Sequence, residues 1–162
     1  MPSTLYIVAT PIGNLEDITY RAVRILQQVD LIAAEDTRHT LQLLRALEIQ
    51  KPLLSLHEHN EQKRIEEIAR LLEEGKDIAL VSDAGTPCIS DPGARLVQAL
   101  GKKKYTIVPI PGPSAVITAL SATGLTQGGF SFYGFLPVKG KERKQILARI
   151  LRRTQTVVLY ES

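Results

Sequence analysis

Short apolar runs recur along most of the chain. Each is cut off by a polar turn and followed by a stretch in which apolar residues return every three or four positions. The runs are Leu5–Ala9, Leu31–Ala34, Leu53–Leu56, Ile78–Val81 and Thr106–Pro109. Unbroken runs of this length, without polar alternation, predict strands buried on both faces, as in a parallel sheet. The periodic stretches predict helices. One runs from Glu16 to Gln28, carries Ile18, Ala22, Val23, Ile25 and Leu26, and takes Asn14 or Asp17 as its cap. The others cover Thr40–Leu47, a stretch capped by Asn60 and running through Glu74 (closed by Gly75), Pro92–Leu100 (closed by Gly101) and the almost wholly apolar segment Ala115–Leu120. Asp91 is placed to cap the fourth of these, with Pro92 at its first helical position. Strands alternating with helices predict an α/β fold: an open, mainly parallel sheet with flanking helices.

The texture changes after Ser121. Thr123–Gly129 reads as a connector, Phe130–Leu136 as a half-buried strand, Glu142–Arg152 as a basic helix and Thr156–Tyr160 as a strand. The expected division is a domain over 1–122, then a linker and the first part of a second α/β domain over 123–162 whose remainder is absent from the chain. The edge left open favours pairing with another copy, hence a homodimer.

Composition and charge add four points to this picture. With 162 residues, 44% of them apolar, the chain can bury a sizeable core. The net charge of +3 is uneven: between Lys139 and Arg153 seven cations face only Glu142, so that segment is net +6 and the remainder net −3. Such a helix either meets a phosphate backbone or is a solvated amphipathic face. Cys88 is the only cysteine, which excludes an internal disulfide and a zinc site built on several cysteines. A start without signal-peptide character and the lack of any membrane-length apolar run make a cytoplasmic protein the simple reading.

The chemistry gathers at the strand ends. In open α/β sheets, ligands bind beyond the carboxyl ends of the strands. Three of the runs end in turns rich in glycine and proline: Thr10–Asn14, Ser82–Pro87 and Ile110–Ala115. Loops of one type suggest one floor for a small molecule. Asp83 either accepts hydrogen bonds from a sugar or amine or caps local amides, and Gly85 allows a flat ring to approach the backbone. Glu35, Asp36, Thr37, Arg38 and His39 form the densest polar cluster at any strand end, suited to gripping a substrate or moving a proton. The alternative is that Asp36 or Thr37 caps the next helix and Arg38 pairs with Glu35. His57 and His59 stand on one side of an extended segment, but no matching ligand set accompanies them, so no metal is expected. Phosphate-loop and dinucleotide fingerprints are absent.

The stretches LYIVATPIGNLEDIT (5–19), AAEDTRHT (33–40), SLHEHNE (55–61), VSDAGTPCISDPG (81–93), PGPSA (111–115) and the closing VLYES together resemble the tetrapyrrole methylase superfamily, over essentially the whole chain. Within it, the resemblance is to the branch that uses S-adenosyl-L-methionine to methylate a ribose 2′-hydroxyl of a cytidine in small-subunit ribosomal RNA. The resemblance implies two α/β domains with the cofactor in the cleft between them. It implies cofactor contacts from Ser82, Asp83, Ala84, Gly85, Thr86 and Ile89, from Ser114 and Ala115, and from Pro11 and Gly13. It sets Glu35, Asp36, Arg38, His57 and His59 on the target-nucleotide side, and leaves the general base open among Asp36, Glu35, His57 and His59. Two alternatives stand beside it: methylation of a corrin or porphyrin precursor, and a non-catalytic module that dimerises or holds RNA.

Overall fold

The apolar runs become strands and the periodic stretches helices in a computed structural model of the chain, which describes residues 3–125 and 128–161. The chain forms two compact units, one through Ser114 and one from Ala115 onward. The first unit alternates β1 (Thr4–Val8), α1 (Tyr20–Gln28), β2 (Leu31–Ala34), α2 (Thr37–Ala46), β3 (Leu53–Ser55), α3 (Glu61–Glu73), β4 (Ile78–Val81), α4 (Ala94–Lys102) and β5 (Thr106–Ile110). All four residues of β4 are buried. A strand without polar side chains needs cover on both faces, and β4 lies at the centre of a five-stranded sheet ordered β3-β2-β4-β1-β5. Every pairing in that sheet is parallel.

Side chains along β4 alternate between two cores. Ala79 and Val81 join Val8, Ile32, Leu26 of α1 and Leu44 of α2. Ile78 and Leu80 join Leu5, Ala33, Ile68 of α3 and Leu96 of α4. The strand order explains this division. The crossovers from β1 and β2 run toward the β3 edge, whereas those from β3 and β4 run toward the β5 edge. Right-handed crossovers in opposite directions must put their helices on opposite faces. The neighbours β1 and β4 therefore send the chain opposite ways, and a crevice opens at their carboxyl ends.

Local signals and the observed ends differ in several places, among them α2, which starts at Thr37, directly after its cap Asp36, rather than at Thr40. The helix expected from Glu16 is two elements. Asn14 caps a short 3-10 turn, Leu15–Asp17, by accepting from the Glu16 amide at 3.1 Å. The backbone is then extended at Ile18, and Thr19 Oγ1 caps α1 by accepting from Ala22 N–H at 3.0 Å. Gly101 does not stop α4, which continues to Lys102, with Lys104 taking the left-handed conformation (φ 62°). The same helix starts at Ala94, with Gly93 rather than Asp91 at its cap position.

The second unit contains α5 (Ala115–Ser121), β6 (Phe130–Phe135), α6 (Lys141–Ile150) and β7 (Thr156–Tyr160). Strands β6 and β7 pair in parallel, and the Phe132 and Phe135 rings lie 4.8 and 5.2 Å from that of Tyr160. Arg143 of the basic helix donates to Pro137 O at 3.0 Å and to Glu161 at 2.9 Å. Thr126 and Gln127 of the expected connector, and Ser162 of the closing motif, lie outside the described residues. Among the described residues, no helix is long and apolar enough to cross a membrane.

Candidate functional site

The loops leaving β1 and β4 are fastened together where the crevice opens. Thr10 and Gly85 form an antiparallel bridge, and the buried Thr10 hydroxyl donates to Ser82 O at 3.1 Å. Ser82, also buried, donates to Gly85 O at 3.3 Å. The β5 loop joins through Thr86, whose hydroxyl donates to Pro113 O at 3.0 Å. Gly112 approaches so closely that an added Cβ would lie 2.8 Å from Ala9 Cβ. The three turns rich in glycine and proline thus converge.

Beside this junction lies a cavity of ≈ 450 Å³. Thr10, Pro11, Ile12, Gly13 and Leu15 form one wall, His39, Gln42 and Leu43 of α2 another, and Asp83 and Ala84 a third. Asp83 reaches further, because its Oδ1 accepts from the Asp36 amide at 3.1 Å and ties the end of β4 to the end of β2.

A second cavity, of ≈ 540 Å³, opens on the β2–β3 side. Glu35, His57, Glu58, His59 and Glu61 face Ser90, Asp91 and the 92–95 turn across it. Burial raises the Glu35 carboxyl above its ordinary value, and the nearby Asp83, Asp91 and Asp36 carboxylates add to the rise. Asp91 is raised as well, first by burial and then by Asp83, against a hydrogen bond from Ser82. His57 is positioned by its neighbour: Asn60 Oδ1 accepts from the His57 amide at 2.9 Å, and Asn60 Nδ2 donates to Ser55 O at 3.1 Å. The His57 and His59 rings meet edge to face, with centroids 5.9 Å apart. His57 Nδ1 is a buried polar atom without a hydrogen-bond partner.

Glu61 closes the far side. It is 5% exposed, and its Oε1 accepts from the amides of Gly93, Arg95 and Leu96 at 3.1, 3.1 and 3.2 Å. The first turn of α4 is therefore capped by a carboxylate more than thirty residues upstream, which displaces Asp91 from that role. A carboxylate collecting three amides at a helix N-terminus also complements the helix dipole.

The residues singled out from sequence thus fall into separate groups. Pro11, Gly13, Asp83 and Ala84 line the first cavity, and Glu35, His57 and His59 the second. Ser82, Gly85 and Thr86 build the junction between loops. Asp36 and Arg38 turn to each other rather than into either cavity. Arg38 donates to Asp36 Oδ1 and Oδ2 at 3.2 and 2.9 Å, and this pairing holds the Asp36 carboxyl down at about 2. Asp36 also caps α2 through the Arg38 amide at 2.8 Å. The Arg38–Glu35 pair of the alternative reading is replaced by this contact, because the cap already brings Asp36 and Arg38 together. Ile89 is 61% exposed, Ser114 ends the first unit, and Ala115 opens α5 in the second. Sequence reasoning missed Gln42, Leu43, Ser90, Asp91, Arg95 and the placing of His39. The spacing of His39, Gln42 and Leu43, three and four apart on one helix, marks a shared face but not what that face meets. Among the described residues, no group of three or more His, Cys, Asp or Glu side chains is arranged to hold a metal.

Relatives place the architecture. Over 158 residues the chain is 55% identical to a ribosomal RNA small subunit methyltransferase I of Escherichia coli O157:H7, covering 98% of this chain and 55% of the relative. A protein of the same name from a Synechocystis species is 52% identical over 158 residues, covering 98% and 57%. The chain thus spans just over half the length of the curated relatives it matches. Its fold is like that in the crystal structure of diphthine synthase, with a TM-score of 0.69 at 18% identity, covering 98% of this chain and 64% of the other. The family model described as tetrapyrrole (corrin/porphyrin) methylases matches residues 4–162, and the chain belongs to that family.

Proposed function

We propose that this chain carries the methyl-donor and nucleotide-facing cavities of an S-adenosyl-L-methionine-dependent enzyme that methylates the ribose 2′-hydroxyl of a cytidine in small-subunit (16S) ribosomal RNA. The observation that carries the reading is a pair of cavities at the carboxyl ends of the strands, one at the β1–β4 switch point and one on the β2–β3 side, which share the segment after β4. The name borne by the relatives supports the RNA substrate.

The first cavity suits the methyl donor. S-adenosylmethionine joins a flat adenine, ribose hydroxyls and a cationic sulfur. Pro11, Ile12, Leu15 and Leu43 offer apolar surface, whereas Asp83 and Gln42 offer polar partners. A volume of ≈ 450 Å³ lies within the usual span of small-molecule sites, about 300–1,000 Å³. When bound, the cofactor supplies an electrophilic methyl group. The second cavity then receives the nucleotide, and its groups handle the proton of the attacking hydroxyl. Asp36 is a weak base, because Arg38 keeps it ionised to low pH. Glu35 is the better base: burial and three neighbouring carboxylates raise its affinity for a proton. His57 and His59 line the same cavity and orient the sugar. The basic helix around α6 meets the RNA backbone, and a homodimer is part of the reading.

Calorimetric titration with S-adenosylhomocysteine tests the donor site. The parent binds, Asp83→Ala loses binding by about tenfold or more, and Asp83→Asn, which keeps an acceptor, loses less. Tritiated-methyl transfer to 16S RNA, abolished in Glu35→Gln, tests the reaction. Binding of a tetrapyrrole with no response to RNA would replace the RNA reading with the corrin or porphyrin one.

A further inference from the structure

The amino-terminal end of α4 follows a central parallel strand and faces a cavity, the place where many α/β proteins bind phosphate. Here the place is taken. Glu61 lays one carboxylate oxygen on the amides of Gly93, Arg95 and Leu96, all within 3.2 Å. The carboxylate is buried, and α4 has no side-chain cap of its own. The remaining walls carry more acidic than basic groups: Glu35, Glu58 and Asp91 face the cavity together with Arg95, His57 and His59.

We infer that Glu61 is the specificity-determining residue of this cavity: it occupies the helix amides that a phosphate would need, so the cavity admits an uncharged, donor-bearing part of a ligand and rejects phosphate. A nucleotide then enters with sugar and base inward and its phosphates directed away. This inference deepens the nucleotide reading of the same cavity and rests on it for the choice of ligand. The rejection of phosphate does not depend on that reading and rests on the amide contacts and the wall carboxylates. The acceptor-rich walls fit hydroxyl and amino donors, and every carboxylate among them repels a phosphate oxygen. Removing the Glu61 carboxylate converts the same amides into an ordinary anion site.

The test uses inorganic phosphate on the chain as it stands, with chloride at matched ionic strength as the control. In the parent, phosphate leaves the amide resonances of Gly93, Arg95 and Leu96 unmoved. In Glu61→Ala those resonances shift, phosphate raises Tm above the chloride control, and affinity exceeds the parent's by about tenfold or more. Formate, the carboxylate the variant lacks, gives the same rescue. Glu61→Ser serves if the alanine variant does not fold. Its side chain is too short to reach the three amides, so they are free, and its Tm rises with phosphate while the parent's does not. Phosphate-dependent shifts of the three amides in the parent would overturn the inference, as would a folded Glu61→Ala whose amides ignore both anions. Titration of the parent with cytidine and with cytidine 5′-monophosphate separates the two readings. Cytidine binding more tightly supports Glu61 as the discriminator, and the monophosphate binding more tightly sinks it. Binding of neither, together with phosphate capture by Glu61→Ala, would overturn the nucleotide assignment and leave the role of Glu61 intact.

Discussion

Thr10 and Gly85 exchange backbone hydrogen bonds in both directions, Thr10 N–H to Gly85 O at 2.9 Å and Gly85 N–H to Thr10 O at 3.1 Å. The bridge lies just past the ends of two parallel strands and runs antiparallel to them. It holds both loops over the carboxyl ends of the central strands, where Pro11–Gly13 just after the bridge and Asp83 and Ala84 just before it become cavity walls.

Gly85 makes that bridge possible, with φ at +85° and an added Cβ 3.3 Å from Ile12 Cγ2. Gly85→Ala is expected to cost about 1–2 kcal/mol. Because Ile12 lines the cavity proposed for the methyl donor, affinity for S-adenosylhomocysteine is expected to fall as well. Urea unfolding and calorimetry on the same preparation check both.

Gly93→Ala is the more severe change. Its Cβ would lie 2.7 Å from Leu80 Cδ2 and 2.9 Å from Cys88 Sγ, at φ +116°. Core overpacking and backbone strain together predict a loss of about 2–4 kcal/mol in a denaturant titration.

Gln42 and His57 stand in different cavities. Gln42→Ala is expected to weaken S-adenosylhomocysteine binding about fivefold to tenfold by removing one hydrogen-bond partner. His57→Ala leaves that affinity within about twofold. Equal losses in both variants would contradict the division of roles.

The acidic cavity has a pH signature. Glu35 and Asp91 hold protons more tightly in the folded chain than in the unfolded one. Their contribution to stability is full below the ordinary carboxylate values of 4.5 and 3.8 and is lost as pH rises through the raised folded values. Asp36 acts the other way: its contribution is present above 3.8 and fades as pH falls toward about 2. Glu35→Gln and Asp91→Asn are therefore expected to raise Tm near neutrality. The gain disappears in acid, where the parent carboxyls are protonated. A Tm series from about pH 3 to pH 8 reads this out.

Cys88 packs beside Gly93, and burial pushes its thiol up to about 11, with Glu61 and Asp91 adding to the rise. A disulfide reagent near pH 8 is expected to label the native chain slowly and the urea-unfolded chain fast, since only the thiolate attacks.

The strands were legible because burial on both faces leaves an unbroken apolar run, as in Ile78–Val81. Asp36 was legible as a cap because its partner amide is two residues away. Asp91 followed by Pro92 sent an equally clear local signal, and there it failed. Glu61, distant in sequence and adjacent in space, supplies the carboxylate instead. Asn14 was correctly seen as a cap, but of a 3-10 turn that ends before α1 starts. His39 and Gln42 were hidden for a related reason. Helical periodicity marks which face of α2 is apolar, whereas only the tertiary placement of α2 beside the β1 loop turns the rest of that helix toward a cavity.

The loop after β4 contributes Asp83 and Ala84 to one cavity and Ser90 to Arg95 to the other, whereas the β1 loop serves only the first and the β3 loop only the second. That asymmetry sets the routes by which this scaffold can change. Substitutions in the β1 loop reshape one cavity, and substitutions at His57 to Glu61 reshape the other. A change in the β4 loop alters both cavities at once and is pinned from beneath by the central strand. Diversification, whether natural or by directed libraries, is therefore expected to accumulate at the β1 and β3 loops and to stall at Ser82–Thr86.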